Sequence, residues 1–236
     1  MKTVMIVGGI VGFLFIAFLL FAPTTEEAAR NSPQVNEFDT STVQEDDIDL
    51  AAKPQLFIGD PDAPATFVEY GDFKCPACNQ FHRGAGKQLR DEYVADGRLK
   101  IEFRNFPFIG PDSGRAARGT YCANDQGVFT EYHDRVYDYM WDNYYAAGDF
   151  ASEFTDELTV DVIASIMDGV VSDSATFRDC LESTTFNASV TSDITLGRGA
   201  GISGTPGFTV AGQRITGPSN FNTFKTLVDI QLQNSN

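Results

Sequence analysis

The chain has 236 residues, with 33 acidic side chains against 17 basic ones and a formal net charge of −16 at neutral pH. That balance argues against nucleic acid and against anionic lipid surfaces as partners, because the chain offers few cations to neutralise either. With 42% apolar residues and only four cysteines, it can bury a core of ordinary size without depending on crosslinks.

Met1-Lys2-Thr3 precedes an uninterrupted apolar or glycine run from Val4 to Ala22. As a helix rising about 1.5 Å per residue, that run is long enough for a hydrocarbon core. A cleaved secretory signal is the rival reading, but the run is long for a signal core and no clear small-x-small site follows it. Residues 1–22 are therefore read as an uncleaved signal-anchor, a single-pass transmembrane helix. Lys2 favours an inside N-terminus, which places the rest of the chain on the outer, extracytoplasmic side of the cell membrane. Residues 23–53 turn acidic and polar: Glu26, Glu27, Glu37, Asp39, Glu45, Asp46, Asp47 and Asp49 face Arg30 alone before Ala52. Too little apolar surface is present to offset the entropy of ordering, so this stretch reads as a disordered tether.

A folded domain is expected over residues 54–236. Its first strong signal is the apolar run Phe67 to Tyr70, a buried strand interrupted by the carboxylate of Glu69. Gly71 and Asp72 supply a turn, and Pro76 suits the first position of a helix, where a missing N–H costs nothing. Phe81, Ala85, Leu89 and Tyr93 then recur every fourth residue and continue that helix. Cys75 and Cys78 sit at its start. There the helix dipole and free backbone N–H groups favour a thiolate on Cys75, and Cys78 lies close enough to close a disulfide. This is the pattern of a dithiol/disulfide redox centre, with Cys75 the exposed nucleophile and Cys78 the buried resolving thiol. A Cys-x-x-Cys can also be half of a zinc site or an inert crosslink. No second such pair exists, however, and only His82 and His133 stand ready to supplement the isolated Cys122 and Cys180.

Leu99 to Arg104 alternates apolar and charged residues and reads as a second strand. From Ser113 to about Gly199 the periodicity is helical. Phe129, Tyr132, Val136 and Tyr139 share a face, as do Val162, Ile163, Ile166 and Met167, and Phe177, Cys180 and Leu181 begin another. Strands resume at Gly207–Val210 and Gln213–Thr216 around a Gly212 turn, and a last helix turns Phe221, Phe224, Val228 and Leu232 inward. Periodicity alone gives an α/β domain with a helical insertion at about residues 112–200. No phosphate-binding glycine loop, metal-binding helix motif or Ser/His/Asp arrangement stands out, so no cofactor and no resident metal are expected. Asn187-Ala188-Ser189 matches a glycosylation acceptor, a weak signal by itself. Cys122 and Cys180, both in helical segments of a domain placed outside the membrane, are expected to form a structural disulfide.

Three stretches carry a family resemblance: Asp62-Ala63-Pro64 through Glu69, Asp72-Phe73-Lys74-Cys75-Pro76-Ala77-Cys78, and Gly204-Thr205-Pro206-Gly207-Phe208. Gly119-Thr120-Tyr121-Cys122-Ala123 and Tyr132-His133-Asp134 add to it. Together they resemble the thioredoxin superfamily, and most closely its DsbA-like thiol–disulfide oxidoreductases, over roughly Pro54 to Gln233. The resemblance implies a thioredoxin fold with an inserted helical domain. It also implies an acid at Glu69 beneath the disulfide, helping proton transfer with the inner thiol; the competing reading is a carboxylate paired with a basic residue at the sheet edge. Pro206 is then cis and faces the disulfide, where Thr205, Pro206, Pro76 and Ala77 form the substrate-binding surface. His82 is read as a half-exposed spectator. The function implied is disulfide formation on exported proteins with cysteine thiols, the dithiol being recycled by a membrane or soluble redox partner. A reductase or isomerase, or a metal- or peptide-binding module on the same scaffold, remains the alternative.

Overall fold

In chain order the strands are β1 (Phe57–Ile58), β2 (Ala65–Gly71), β3 (Leu99–Asn105), β4 (Gly207–Val210) and β5 (Gln213–Thr216). They form one sheet in the order β1-β3-β2-β4-β5, with β2 and β3 parallel and every other pairing antiparallel. The computed structural model describes Phe38, Ile48, Asp49 and residues 53–235. The expected anchor at residues 1–22 and nearly all of the 23–53 tether lie outside the described residues. Among the described residues no helix is long and apolar enough to cross a membrane.

The parallel pair β2–β3 needs a crossover, and the helix that begins after the cysteines supplies it. It runs without a break through α1 (Pro76–Phe81), a π turn at His82–Gly86, α2 (Lys87–Leu89) and a second π turn at Arg90–Val94. The four-residue apolar spacing explains the two widened turns. In a regular α-helix, residues four apart drift by roughly 40° per step, so a strict spacing of four would spiral off the core face. The π turns absorb that drift and leave Phe81, Leu89 and Tyr93 all buried.

On this face of the sheet Phe67 packs against Phe81, Phe208 and Phe224, with ring centroids 5.9, 5.3 and 5.2 Å away. Phe224 comes from the final helix, which spans Phe221–Asn234 and buries Phe224 and Val228, while Phe221 and Leu232 stay partly exposed. The β4–β5 hairpin turns on Ala211 and Gly212, both at positive φ (49° and 73°), as a two-residue primed turn requires.

Between β3 and β4 lie the helices of the insertion: α3 (Ser113–Asn124), α4 (Phe129–Asn143), α5 (Val160–Ile166), α6 (Ser174–Glu182) and α7 (Asn187–Gly199). The final helix is thus α8. The buried face of α4 carries Phe129, Tyr132, His133, Val136, Tyr137 and Met140. It is wider than the stripe read from the sequence and centred away from Tyr139, which is only partly buried. The two-residue β1 had no signal of its own, since a strand that short has no alternation to display. It pairs on the outer side of β3, Phe57 opposite Glu102.

Candidate active site

Cys75 caps the N-terminus of α1 in an extended conformation (φ −87°, ψ 115°), and the Cys78 N–H donates to its Sγ at 3.4 Å. Pro76 fills the first helical position, where the chain has no intrahelical donor to lose. Both cysteines are free thiols here. Cys78 is fully buried, and Cys75 is only 5% exposed. A helix-start position alone suggested a more open sulfur. The difference comes from the loop before β4, whose Thr205 carbonyl oxygen accepts from the Cys75 thiol at 3.4 Å. The Thr205–Pro206 peptide bond is cis. Pro206 is buried, while Thr205, Pro76 and Ala77 remain half-buried around the sulfur.

The two thiols are driven apart electrostatically. The hydrogen bond from Cys78 brings the Cys75 thiol down to about 7 against the cost of burial, with help from the Thr205 side chain and the Cys78 N–H. Burial first, then the Cys75 sulfur and the charge of Glu69, push Cys78 well above its ordinary range. Near neutral pH one thiol is therefore a ready thiolate and the other holds its proton.

Glu69 lies on β2, the central strand, opposite Phe103 on one side and Phe208 on the other. It shares a face with Phe67, towards α1, and is 2% exposed. A carboxylate paired at the sheet edge does not fit this position. Burial pushes its pKa up to about 8; the Arg90 charge pulls the other way and the Cys75 sulfur adds to the rise. Its Oε1 has no hydrogen-bond partner.

The loop carrying Cys75 is held from two directions by charged residues to which sequence reasoning gave no role. The Asp72 carboxylate accepts from the N–H groups of Lys74, Phe108 and Ile109 at 2.9, 2.9 and 3.2 Å. Lys74, fully buried, reaches across to the insertion. Its Nζ donates to Asp112 Oδ2 at 3.0 Å and to the Thr155 carbonyl at 2.7 Å, and Asp112 also takes the N–H groups of Glu157 and Leu158. A charged residue on either side of an aromatic, directly before a helix cap, was the available signal.

Tyr137 of α4 was likewise missed. Its hydroxyl is buried without a partner, and burial together with the Cys78 and Glu69 charges keeps its pKa well above the usual range. Gly71 permits this approach, because a Cβ there would lie 2.9 Å from the Tyr137 hydroxyl and closer still to the Phe103 ring. Asn79 of α1 donates to the Tyr137 carbonyl at 2.7 Å and fixes α1 on α4.

Behind Glu69 stand two histidines. His82 is buried rather than half-exposed, stacked on Tyr137 with centroids 5.2 Å apart and 5.2 Å from the ring of His133. Burial brings its pKa down to about 3, and the same effect lowers His133. His82 Nδ1, His133 and Asp134 converge to metal-ligand distances, but Arg90 already fills the gap. Its guanidinium is 2.6 Å from Asp134 Oδ1 and 3.2 Å from His82 Nδ1. The second cysteine pair lies apart from this site: Cys122 of α3 and Cys180 of α6 form a disulfide with Cα atoms 5.9 Å apart.

A family model described as thioredoxin matches residues 51–230. A probable disulfide bond formation protein D from Bacillus anthracis is 30% identical over 78% of this chain and 81% of its own length. Among solved structures, oxidised BdbD from Bacillus subtilis superimposes with a TM-score of 0.67 at 23% identity, covering 76% of this chain and 93% of that one. The alpha-DsbA1 of Wolbachia pipientis does so with a TM-score of 0.62 at 20% identity, over 78% and 96% of the two chains. At these identities the two structures bear on the fold alone.

Proposed function

The chain belongs to the DsbA-like branch of the thioredoxin superfamily, and on that premise we propose that it is a thiol–disulfide oxidoreductase that forms disulfides in cysteine-containing exported proteins. One observation carries the reading: two thiols on one helix start whose proton affinities are pushed in opposite directions, above a buried carboxylate. In the oxidising cycle a substrate thiolate attacks Cys75 of the Cys75–Cys78 disulfide. The S–S bond breaks and its electron pair passes to Cys78, which takes a proton from Glu69. A second substrate thiolate then attacks the sulfur of the substrate cysteine joined to Cys75 and displaces the Cys75 thiolate, a good leaving group because its pKa is low. Substrate leaves oxidised, and the dithiol is returned to the disulfide by a redox partner. Thr205 and Pro206, with Pro76 and Ala77, frame the sulfur and form the substrate surface in this reading. No cofactor takes part.

The single-pass anchor at residues 1–22 and the outer-side placement of the domain belong to the same proposal. The Val4–Ala22 run and the closed Cys122–Cys180 pair support them, since disulfides persist in oxidising compartments. The test of function is oxidation of a reduced two-cysteine peptide by the oxidised protein, followed by mass after acid quench. Stoichiometric transfer of the disulfide is expected. Failure to transfer, with tight binding of zinc or copper(I) instead, would favour the metal-binding module.

A further inference from the structure

Two residues with orphaned polar atoms line one chamber behind the active site. Glu69 Oε1 and His133 Nε2 are both buried without a hydrogen-bond partner, and both residues line the same small chamber. The chamber has a volume of about 10 Å³, the room one water molecule needs, and Ile58, Ile101, His82 and Arg90 complete most of its wall. A water-sized space walled by residues with unsatisfied buried polar atoms is where bound water earns its place in a fold.

The orientation of His133 is fixed from its other side. Its Nδ1 lies 2.9 Å from Asp134 Oδ1, and a carboxylate can only accept, so the ring proton sits on Nδ1 and Nε2 is left with a lone pair. Asp134 is held in turn by Arg90 at 2.6 Å. Arg90 and His82 form part of the chamber wall and also line a larger outer pocket of about 430 Å³ with Arg83, Lys87, Asp91, Asp134 and Asp138. Chamber and outer pocket thus share two walls.

We propose that one water in this chamber bridges Glu69 Oε1 and His133 Nε2, and that the Cys78 proton is exchanged with solvent by this back route. The inference rests on the redox function proposed above and names the residue that serves Glu69. When substrate opens the disulfide, the Cys78 thiolate takes the Glu69 proton, and Glu69 recovers one from the chamber water, which solvent replenishes through the outer pocket. When the dithiol is reoxidised, Glu69 first gives up its proton through the water to His133 Nε2, which passes it on to solvent because burial disfavours the charged imidazole, and the emptied carboxylate then takes the proton from Cys78. His133 is a positioning and relay residue; the thiols and Glu69 touch the reacting atoms. The groups that face Glu69 are Cys75, Cys78, His82 and Arg90 from the redox helix and His133 and Tyr137 from α4, while β3 and β4 present only Phe103 and Phe208 beside it.

The test uses the full chain and two single-turnover rates between pH 5 and 9: opening of the disulfide by a reduced peptide, and reclosure by oxidised glutathione. In the wild type reclosure should inflect near pH 8, where Glu69 titrates. His133→Asn, which has no basic nitrogen, should keep that inflection but lower the rate roughly tenfold, a modest share of what general acid–base transfer supplies. Added to Glu69→Gln, the same substitution should slow reclosure no further. A merely structural role for His133 would make the two effects additive, and that result, or an unchanged rate in His133→Asn, overturns the proposal. Should His133→Asn fail to fold, Ile58→Met, which fills the chamber and leaves every titratable group in place, decides alone: the same slowing supports the water bridge and wild-type reclosure refutes it. Absence of any exchange in the wild type would instead overturn the functional reading itself.

Discussion

The molecule carries two cysteine pairs, and everything that separates them lies outside the sulfur atoms. Cys75 and Cys78 are three residues apart at a helix start, under a cis-proline loop and over a buried acid. Cys122 and Cys180 are 58 residues apart, on two helices of the insertion whose N-caps are Asp112 and Asp173, so neither cysteine caps a helix start. The first pair is built so that its two thiols hold protons differently, which makes exchange fast. The second closes a long loop and gains stability from staying closed. Position in the fold, more than cysteine chemistry, divides catalyst from crosslink.

The sharpest way to break this contrast is Cys75→Ser. Exchange with peptide should vanish, whereas Cys78→Ser should accumulate a mixed disulfide through Cys75, visible by mass. Full activity in Cys75→Ser would mean that the wrong pair was taken as the catalyst.

Removing the other pair should cost stability and spare chemistry. For the double substitution Cys122→Ala/Cys180→Ala, a loss of up to about 4 kcal/mol in denaturant unfolding is expected from the chain-entropy estimate for a loop of this length. Exchange rate per folded molecule should stay as in the wild type. Loss of exchange without loss of stability would reverse the assignment of the two pairs.

Glu69→Gln tests the carboxylate under the first pair. Turnover at pH 7 should fall by about 100-fold, the low end for a lost acid–base group. Stability should move the other way, and the sign depends on pH. The folded chain keeps the Glu69 proton up to about 8, whereas an unfolded glutamate releases it near 4.5, so wild-type stability declines across that window as pH rises. The variant should therefore gain up to about 5 kcal/mol over wild type above pH 8 and nothing below pH 4. Equal stability at both ends would show that Glu69 is not held protonated. The smallest effect concerns the open thiols of the reduced protein: alkylation at Cys75 should inflect near pH 7 while Cys78 stays unmodified. Alkylation at Cys78 first would contradict the split.

Much of this was legible in the sequence because it is local. The Cys75-Pro76-Ala77-Cys78 cap, the β2 strand with its buried Glu69 and the Gly212 turn each carry their signal within a few residues. What escaped is long-range. The Lys74–Asp112 pair joins residues 38 positions apart, and His133 reaches the chamber behind Glu69 from a helix that gives no hint of its partner. His82 read as a spectator because nothing in the sequence names its partner, yet it opens the first π turn and stacks on Tyr137 of α4. The small opening at Cys75 depends on the Thr205 loop, 130 residues away.

The central claim is that the first pair is an oxidant and the second a crosslink, and one equilibrium measures both. The full chain is incubated in glutathione buffers of graded potential, quenched in acid and read by mass for each pair. The Cys75/Cys78 couple should titrate at a potential above the roughly −270 mV of thioredoxin, while Cys122–Cys180 stays closed throughout, as structural disulfides below about −300 mV do. A Cys75/Cys78 potential at or below that of thioredoxin, or opening of Cys122–Cys180 in the same range, would contradict the account.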